Sequence, residues 1–348
     1  MKNRCHRTAG IIALAASLWI PQGSAESIST LAELRGLRDA NLSVIAAMSQ
    51  AGDQGESVEV EAFLRQEPQS GEPLVDLGSI TKFVTAVALL HMVDQGRLDL
   101  QARLGSLLPN VPRDKAPITL HQLLTHTSGL VESTGGDEEP LDRATFLARV
   151  LAAPLEQEPG TNHLYSNAGY SLLAAIIEVV SGKSYEAYLL EEVLAPRGLT
   201  PIGYEAVYDP ERSLRSARNW RTFFRRASIR SASWGGHAPG WNLIGNGGAV
   251  TTAEGFLQFW NAFLEGRIVG PELVALALTP HADEGGGESH YGYGLVVERS
   301  SRFGTVYWHD GGNEVFSAEW RYLGDLKTTL FLAGPGKDAF EGMDLLLR

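Results

Sequence analysis

Hydrophobic positions change their period twice along the chain. Ser43–Met48 and Val58–Leu64 carry β-branched and apolar residues on either side of the turn-prone Ala51-Gly52-Asp53-Gln54-Gly55, and predict two strands. From Ser79 to Gly96 the residues Phe83, Val84, Val87, Leu90 and Val93 recur at helical spacing, with Gly96 placed where a helix stops. Helical spacing continues through Leu120–Leu124, Leu141–Leu151, Ala168–Val180, Tyr185–Leu194 and Thr252–Leu264. Strand-like runs return at Gly294–Glu298, Thr305–Trp308, Val315–Leu323 and Thr328–Ala333, and Ala339–Leu347 predicts a closing helix.

Two or three N-terminal strands do not make a stable sheet alone, so they are expected to pair with the C-terminal ones. The predicted fold class is mixed α+β: an antiparallel sheet built from both chain ends and flanked by helices, with a mostly helical inserted lobe. The sheet lobe would take residues about 26–85 and 250–348, the helical lobe about 86–249. No internal repeat of solenoid period is present. Gly285-Gly286-Gly287 and Thr134–Pro140 read as exposed loops.

The first residues follow a different rule. Lys2, Arg4 and Arg7 precede an apolar run from Ala9 to Ile20, then Pro21 and the small residues Gly23, Ser24 and Ala25. This predicts a secretory signal over residues 1–25 with cleavage at Ala25–Glu26, and an exported single domain, periplasmic or secreted, over 26–348. A retained anchor is the alternative, but the run is shorter than the ~20 residues that span a bilayer. No later stretch is long and apolar enough for a stable membrane span, and Cys5 lies ahead of the apolar run, away from a lipid-attachment position.

Composition narrows the classes further. The 348 residues are 44% hydrophobic and 20% charged, an ordinary globular balance. The net charge is −12, and loss of Lys2, Arg4 and Arg7 would make it −15, so nucleic acid is not an expected partner. The single cysteine excludes an internal disulfide framework and cysteine metal clusters. Against this acidic background Arg212, Arg215, Arg218, Arg221, Arg225, Arg226 and Arg230 fall in a stretch without acids, largely at helical spacing. They read either as a solvated stripe pairing with surplus acids or as a contact for an anionic substrate or surface.

Three short segments carry candidate chemistry. In Ser79-Ile80-Thr81-Lys82, a helix start would put Ser79 and Lys82 on one face, where a partly desolvated lysine takes the serine proton; a capping serine with a solvated lysine is the plainer alternative. In Tyr165-Ser166-Asn167, a tyrosine near a lysine ammonium, which favours its phenolate form, would shuttle a proton, and Asn167 offers a donor and an acceptor to a substrate amide. The alternative is a capping loop with a packed tyrosine. In His309-Asp310-Gly311-Gly312, after the run Thr305–Trp308, the glycines would admit a substrate to a strand edge. His290-Tyr291-Gly292 shares the His-x-Gly pattern and shows how cheap it is.

Other constellations fail. No Gly-x-Ser-x-Gly occurs. Gly182-Lys183-Ser184 lacks the glycine a phosphate loop needs, Ile177 standing in its place. His121 and His126, five apart, fall on different helix faces, so no zinc pair is expected, and neither metal nor nucleotide cofactor is indicated.

Taken together, the segments resemble the serine β-lactamase and penicillin-binding-protein superfamily, and most closely its class C branch with DD-carboxypeptidases, D-aminopeptidases and esterases. Leu77-Gly78-Ser79-Ile80-Thr81-Lys82 is similar to the nucleophile motif, and Leu123-Leu124-Thr125-His126-Thr127-Ser128-Gly129-Leu130 to a family signature. Pro159-Gly160-Thr161 leading to Tyr165-Ser166-Asn167 resembles the second motif region, and Gly247–Ala253 the segment before a late helix. The resemblance implies a β-lactamase/transpeptidase-like fold, Ser79 as acyl-forming nucleophile, Lys82 as its base and Tyr165 as second proton-transfer group. It further implies Asn167 as a substrate contact, His309-Asp310-Gly311 in the place of a Lys-Thr-Gly motif, and an oxyanion hole from the N–H groups of Ser79 and Gly312. The substrate would be a small molecule or peptide, with peptidoglycan as one partner; the alternative function is a catalytically weak penicillin-binding or peptidoglycan-binding protein.

The third motif departs from the pattern. Class C β-lactamases carry lysine where this chain has His309, and Asp310 replaces a hydroxyl residue. A carboxylate there should repel the carboxylate of a β-lactam or D-Ala-D-Ala terminus, with a protonated His309 offsetting part of that repulsion. The departure favours esters and uncharged amides over efficient β-lactam hydrolysis.

Overall fold

The computed structural model describes residues 36–37, 40, 42–52, 55–64, 70–214 and 228–348. Its strands are β1 (Val44–Gly52), β2 (Gly55–Phe63), β3 (Val75–Asp76), β4 (Val250–Thr251), β5 (Ala282–Asp283), β6 (Ser289–Tyr291), β7 (Val296–Ser300), β8 (Gly304–Gly312), β9 (Phe316–Leu323) and β10 (Thr328–Pro335). Eight form one sheet in the order β2-β1-β10-β9-β8-β7-β6-β5, every pairing antiparallel, while β3 and β4 pair separately. The chain ends meet as expected at β1–β10, from Ile45 opposite Ala333 to Gln50 opposite Thr328.

Both faces of β1 and β10 are covered, which is why Val44–Met48 and Leu330–Ala333 read as unbroken apolar runs. Ile45, Ala47, Phe331 and Ala333 face the main core, whereas Val44, Ala46, Met48, Leu330 and Leu332 face a smaller one closed by Ala339 and Met343 of the helix Asp338–Leu347. On the main-core side lies the helix Thr81–Asp94, buried at every position from Thr81 to Met92. A helix apolar on all sides belongs in the interior. Phe83 fixes it there against Phe259, Trp260, Phe263 and Trp320, with ring centroids 5.2–5.9 Å away.

Local chemistry sets the ends of the helices that border the site. Thr119 and Gln122 form a reciprocal capping box at Leu120–Leu124. The Ser166 hydroxyl accepts the Gly169 N–H at 2.9 Å to start Asn167–Ser181, and Gly182, at φ +73°, ends it.

Several boundaries differ from the sequence expectations. Ser79 lies in a 3₁₀ turn, Gly78–Ile80, that precedes the α-helix. Tyr185–Leu194 splits into an α-helical turn and a π-helix, Leu189–Leu194. Strand β8 continues past Trp308, so His309, Asp310, Gly311 and Gly312 lie within it. Strands β3 to β6 have two or three residues each, too short for alternation to show. Residues 1–25 and Arg215, Arg218, Arg221, Arg225 and Arg226 lie outside the described residues. Of the remaining arginines, Arg212 Nε donates to the Glu72 carbonyl at 2.9 Å and Arg230 lies 3.8 Å from Glu205. Among the described residues no helix is long and apolar enough to cross a membrane.

Candidate active site

Strand β3 delivers the chain into the turn that carries Ser79. Gly78 there has φ +48°, and a Cβ on it would stand 2.5 Å from the Gly312 nitrogen. A Cβ on Gly311 would collide with the Ser79 nitrogen and the Leu77 carbonyl. The end of β8 and the serine turn thus touch backbone to backbone, an approach that only glycine permits. Leu77 N–H donates to the Ala249 carbonyl at 2.9 Å, and Ala249 N–H to Thr81 Oγ1 at 3.2 Å, so the Gly247–Ala253 segment braces the turn from the other side.

Lys82, fully buried, places Nζ 3.0 Å from Ser79 Oγ and donates to the Asn246 carbonyl at 2.8 Å. Burial lowers its pKa to about 7, against the opposing charges of Asp137, Asp310 and Glu132. A solvated lysine beside a capping serine is therefore excluded. The Tyr165 ring centroid lies 4.7 Å from Lys82 Nζ, and the residue lines the same hollow as Ser79. Here the expectation needs correcting: burial pushes the phenol well above its ordinary range, so Tyr165 is a protonated hydroxyl at neutral pH and no phenolate. Asn167 opens the helix Asn167–Ser181, with Oδ1 buried and without a hydrogen-bond partner.

His309 is likewise buried, with Nε2 3.1 Å from the Tyr291 hydroxyl and Nδ1 2.5 Å from the Asp310 carbonyl. Burial lowers its pKa to about 4, with Asp310 opposing and Lys82 reinforcing the shift. A protonated His309 offsetting Asp310 is thus also corrected, because the imidazole is neutral near pH 7. The Asp310 carboxylate, 54% exposed, lies 3.8 Å from Nδ1.

Ser79 sits where two hollows meet, of about 650 and 470 Å³. Asp76, Asp137, Asn167, Asn246 and Asn313 line the first. Tyr165, Glu284, Tyr291, Trp308, His309 and Asp310 line the second. The structure places Ser79, Lys82, Tyr165, Asn167, His309, Asp310, Gly311 and Gly312 around these two hollows, with three neighbours that the sequence did not single out. Tyr291, set aside within a cheap pattern, is the hydrogen-bond partner of His309. Asp76, whose carboxyl burial pushes up, accepts the Gly78 N–H at 2.7 Å and the Ser233 hydroxyl, which in turn accepts from Asn313 Nδ2 at 3.0 Å. His126, weighed as a zinc ligand and otherwise given no role within the family signature, lies with its ring centroid 4.3 Å from that of Tyr165. His121 points elsewhere, to the Tyr293 hydroxyl at 2.8 Å, and among the described residues no three metal-ligating side chains converge.

A serine hydroxyl held by a buried lysine beside a tyrosine ring, at the backbone seam between a helix turn and a strand end, defines the class. The family model described as Beta-lactamase matches residues 47–333, and the chain belongs to this family. Penicillin-binding protein 4* of Bacillus subtilis (strain 168) is 25% identical over 287 residues, covering 78% of this chain and 63% of its own. Esterase EstB of Burkholderia gladioli is 33% identical over 165 residues, 42% of each chain. The curated relatives that match first are covered over less than two thirds of their own length. The structure of the D-amino acid amidase from Ochrobactrum anthropi SV3 complexed with L-phenylalanine superposes with a TM-score of 0.73 at 22% identity, over 91% of this chain and 96% of that one, and so shares the fold.

Proposed function

We propose that residues 26–348 form one exported catalytic unit, a serine hydrolase that acylates Ser79 with esters or amides, D-amino-acid peptides included, and turns over β-lactams poorly. The desolvated Lys82–Ser79 pair carries this reading: a lysine with a pKa of about 7 is unprotonated often enough at neutral pH to accept the Oγ proton. Oγ attacks the substrate carbonyl, and the resulting oxyanion takes hydrogen bonds from the N–H groups of Ser79 and Gly312. As the tetrahedral intermediate collapses, Tyr165 gives its proton to the leaving oxygen or nitrogen and recovers one from Lys82. Asn167, with an unused buried acceptor, meets a substrate amide N–H. Water then attacks the acyl-enzyme and frees Ser79.

Substrate preference rests on the third motif. Neutral His309 beside the Asp310 carboxylate supplies no cation for a substrate carboxylate. Relatives named as an esterase and a D-amino acid amidase support esters and amides. A panel of p-nitrophenyl esters, D-alanyl peptides and nitrocefin tests it: esters or D-amino-acid amides should show the highest kcat/KM, and a preference for nitrocefin would overturn the assignment. Export rests on the pattern of residues 1–25, so the mature protein should begin at Glu26; an intact Met1 terminus on exported protein would contradict cleavage.

A further inference from the structure

The segment His126–Glu132 holds the loop that carries Tyr165, and most of the grip comes from one residue. His126 has φ +56°, a left-handed conformation in which histidine is enriched among non-glycine residues. That conformation lets the residue face the loop with two acceptors at once. Its carbonyl accepts the Leu164 N–H at 2.7 Å, and its imidazole Nδ1 accepts the Ser166 N–H at 3.0 Å. The N–H groups of both residues flanking Tyr165 are thereby fixed to a single residue. The imidazole also packs against the phenol ring, centroid to centroid at 4.3 Å, and against Tyr291 at 4.6 Å and Tyr170 at 5.0 Å.

We propose that His126 is the positioning residue of Tyr165, aiming its phenol at Ser79 through the Leu164 and Ser166 peptides and the stacked ring, without touching substrate. The proposal rests on the proton-donor role given to Tyr165 above. The hydrogen bond to Ser166 requires an unprotonated Nδ1, so the neutral ring carries its proton on Nε2, a buried atom with no partner. Nothing else among the described contacts of His126 uses that proton; its side-chain polarity is spent on the loop. Burial, and next to it the nearby Lys82, keep the ring neutral.

A misaimed Tyr165 should matter in proportion to the need for its proton. An alkyl ester expels a basic alkoxide and needs a proton donor, whereas a p-nitrophenyl ester expels a stable anion and does not. The test therefore compares ethyl and p-nitrophenyl butyrate on the full chain. His126→Gly, which keeps the left-handed backbone but removes the acceptor, should lose at least tenfold more kcat/KM on the ethyl than on the p-nitrophenyl ester. His126→Asn, which tolerates the same φ and offers Oδ1 where Nδ1 stood, should recover most of the loss. Tyr165→Phe should show the same leaving-group dependence, and the double variant with His126→Gly should be no worse than Tyr165→Phe alone.

Equal losses on the two esters, or multiplicative losses in the double variant, would overturn the proposal. Should His126→Gly lose its near-ultraviolet circular dichroism, His126→Ala decides: folded with the leaving-group dependence of Tyr165→Phe it supports the proposal, folded with wild-type dependence it contradicts it. A Tyr165→Phe enzyme of wild-type rate on the ethyl ester would instead remove the proton-donor role on which the proposal stands.

Discussion

Lys82 Nζ, at a position without solvent exposure, lies 3.0 Å from Ser79 Oγ, so the proposed base is desolvated beside the proposed nucleophile. The sheet, the helix Thr81–Asp94 and the Asn246 carbonyl hold that pair, and the pH behaviour follows from it.

In the proposed mechanism Lys82 acts only when unprotonated. The kcat/KM for an ester should rise from acid toward alkaline pH with an inflection near the Lys82 value of about 7. Lys82→Arg, permanently charged, should fall by about 10²–10⁴-fold. A stability signature accompanies this. The unfolded lysine titrates near 10.5 and the folded one at about 7, so between these values the unfolded chain binds more protons and this group makes stability rise with pH. Urea midpoints at pH 7 and pH 9 should show wild type gaining on Lys82→Met over that window.

In the proposed function, Asp310 sets the charge preference. Asp310→Thr should raise kcat/KM for nitrocefin, which carries a carboxylate, by about tenfold, equivalent to ~1.4 kcal/mol. The side chain is half exposed, so the gain should shrink as ionic strength increases. Turnover of a neutral p-nitrophenyl ester should change far less. Steady-state rates at low and high salt check both points.

Gly311 tests the seam between β8 and the serine turn. Gly311→Ala drives a methyl into the Ser79 nitrogen and Leu77 carbonyl, and should cost about 1–3 kcal/mol in urea unfolding. It should also lower kcat by 10²-fold or more, roughly the effect of losing one oxyanion donor. Gly286→Ala, with open space around the added carbon and no positive φ, should leave stability and rate within error of wild type.

Long periodic segments and motif residues were legible in the sequence. The pairing of the chain ends, the buried helix after Ser79 and the convergence of Ser79, Lys82, Tyr165 and His309 all follow from apolar spacing and the family resemblance. Protonation states were not legible. A lysine beside Tyr165 suggests a phenolate and an aspartate beside His309 suggests an imidazolium, but His309 is buried and Tyr165 partly so, and desolvation outweighs the neighbouring charge. Proximity made by tertiary contact was hidden as well. Tyr291 lies 18 residues from His309 and His126 lies 40 from Ser166, and no local pattern announces either bond.

Covalent capture of Ser79 tests the central claim most directly. Intact-protein mass spectrometry after treatment with a fluorophosphonate should show one phosphonyl adduct, mapped by peptide sequencing to Ser79. Ser79→Ala should give no adduct and no ester or amide turnover. A label mapped to another residue, or hydrolysis that survives in Ser79→Ala, would contradict it.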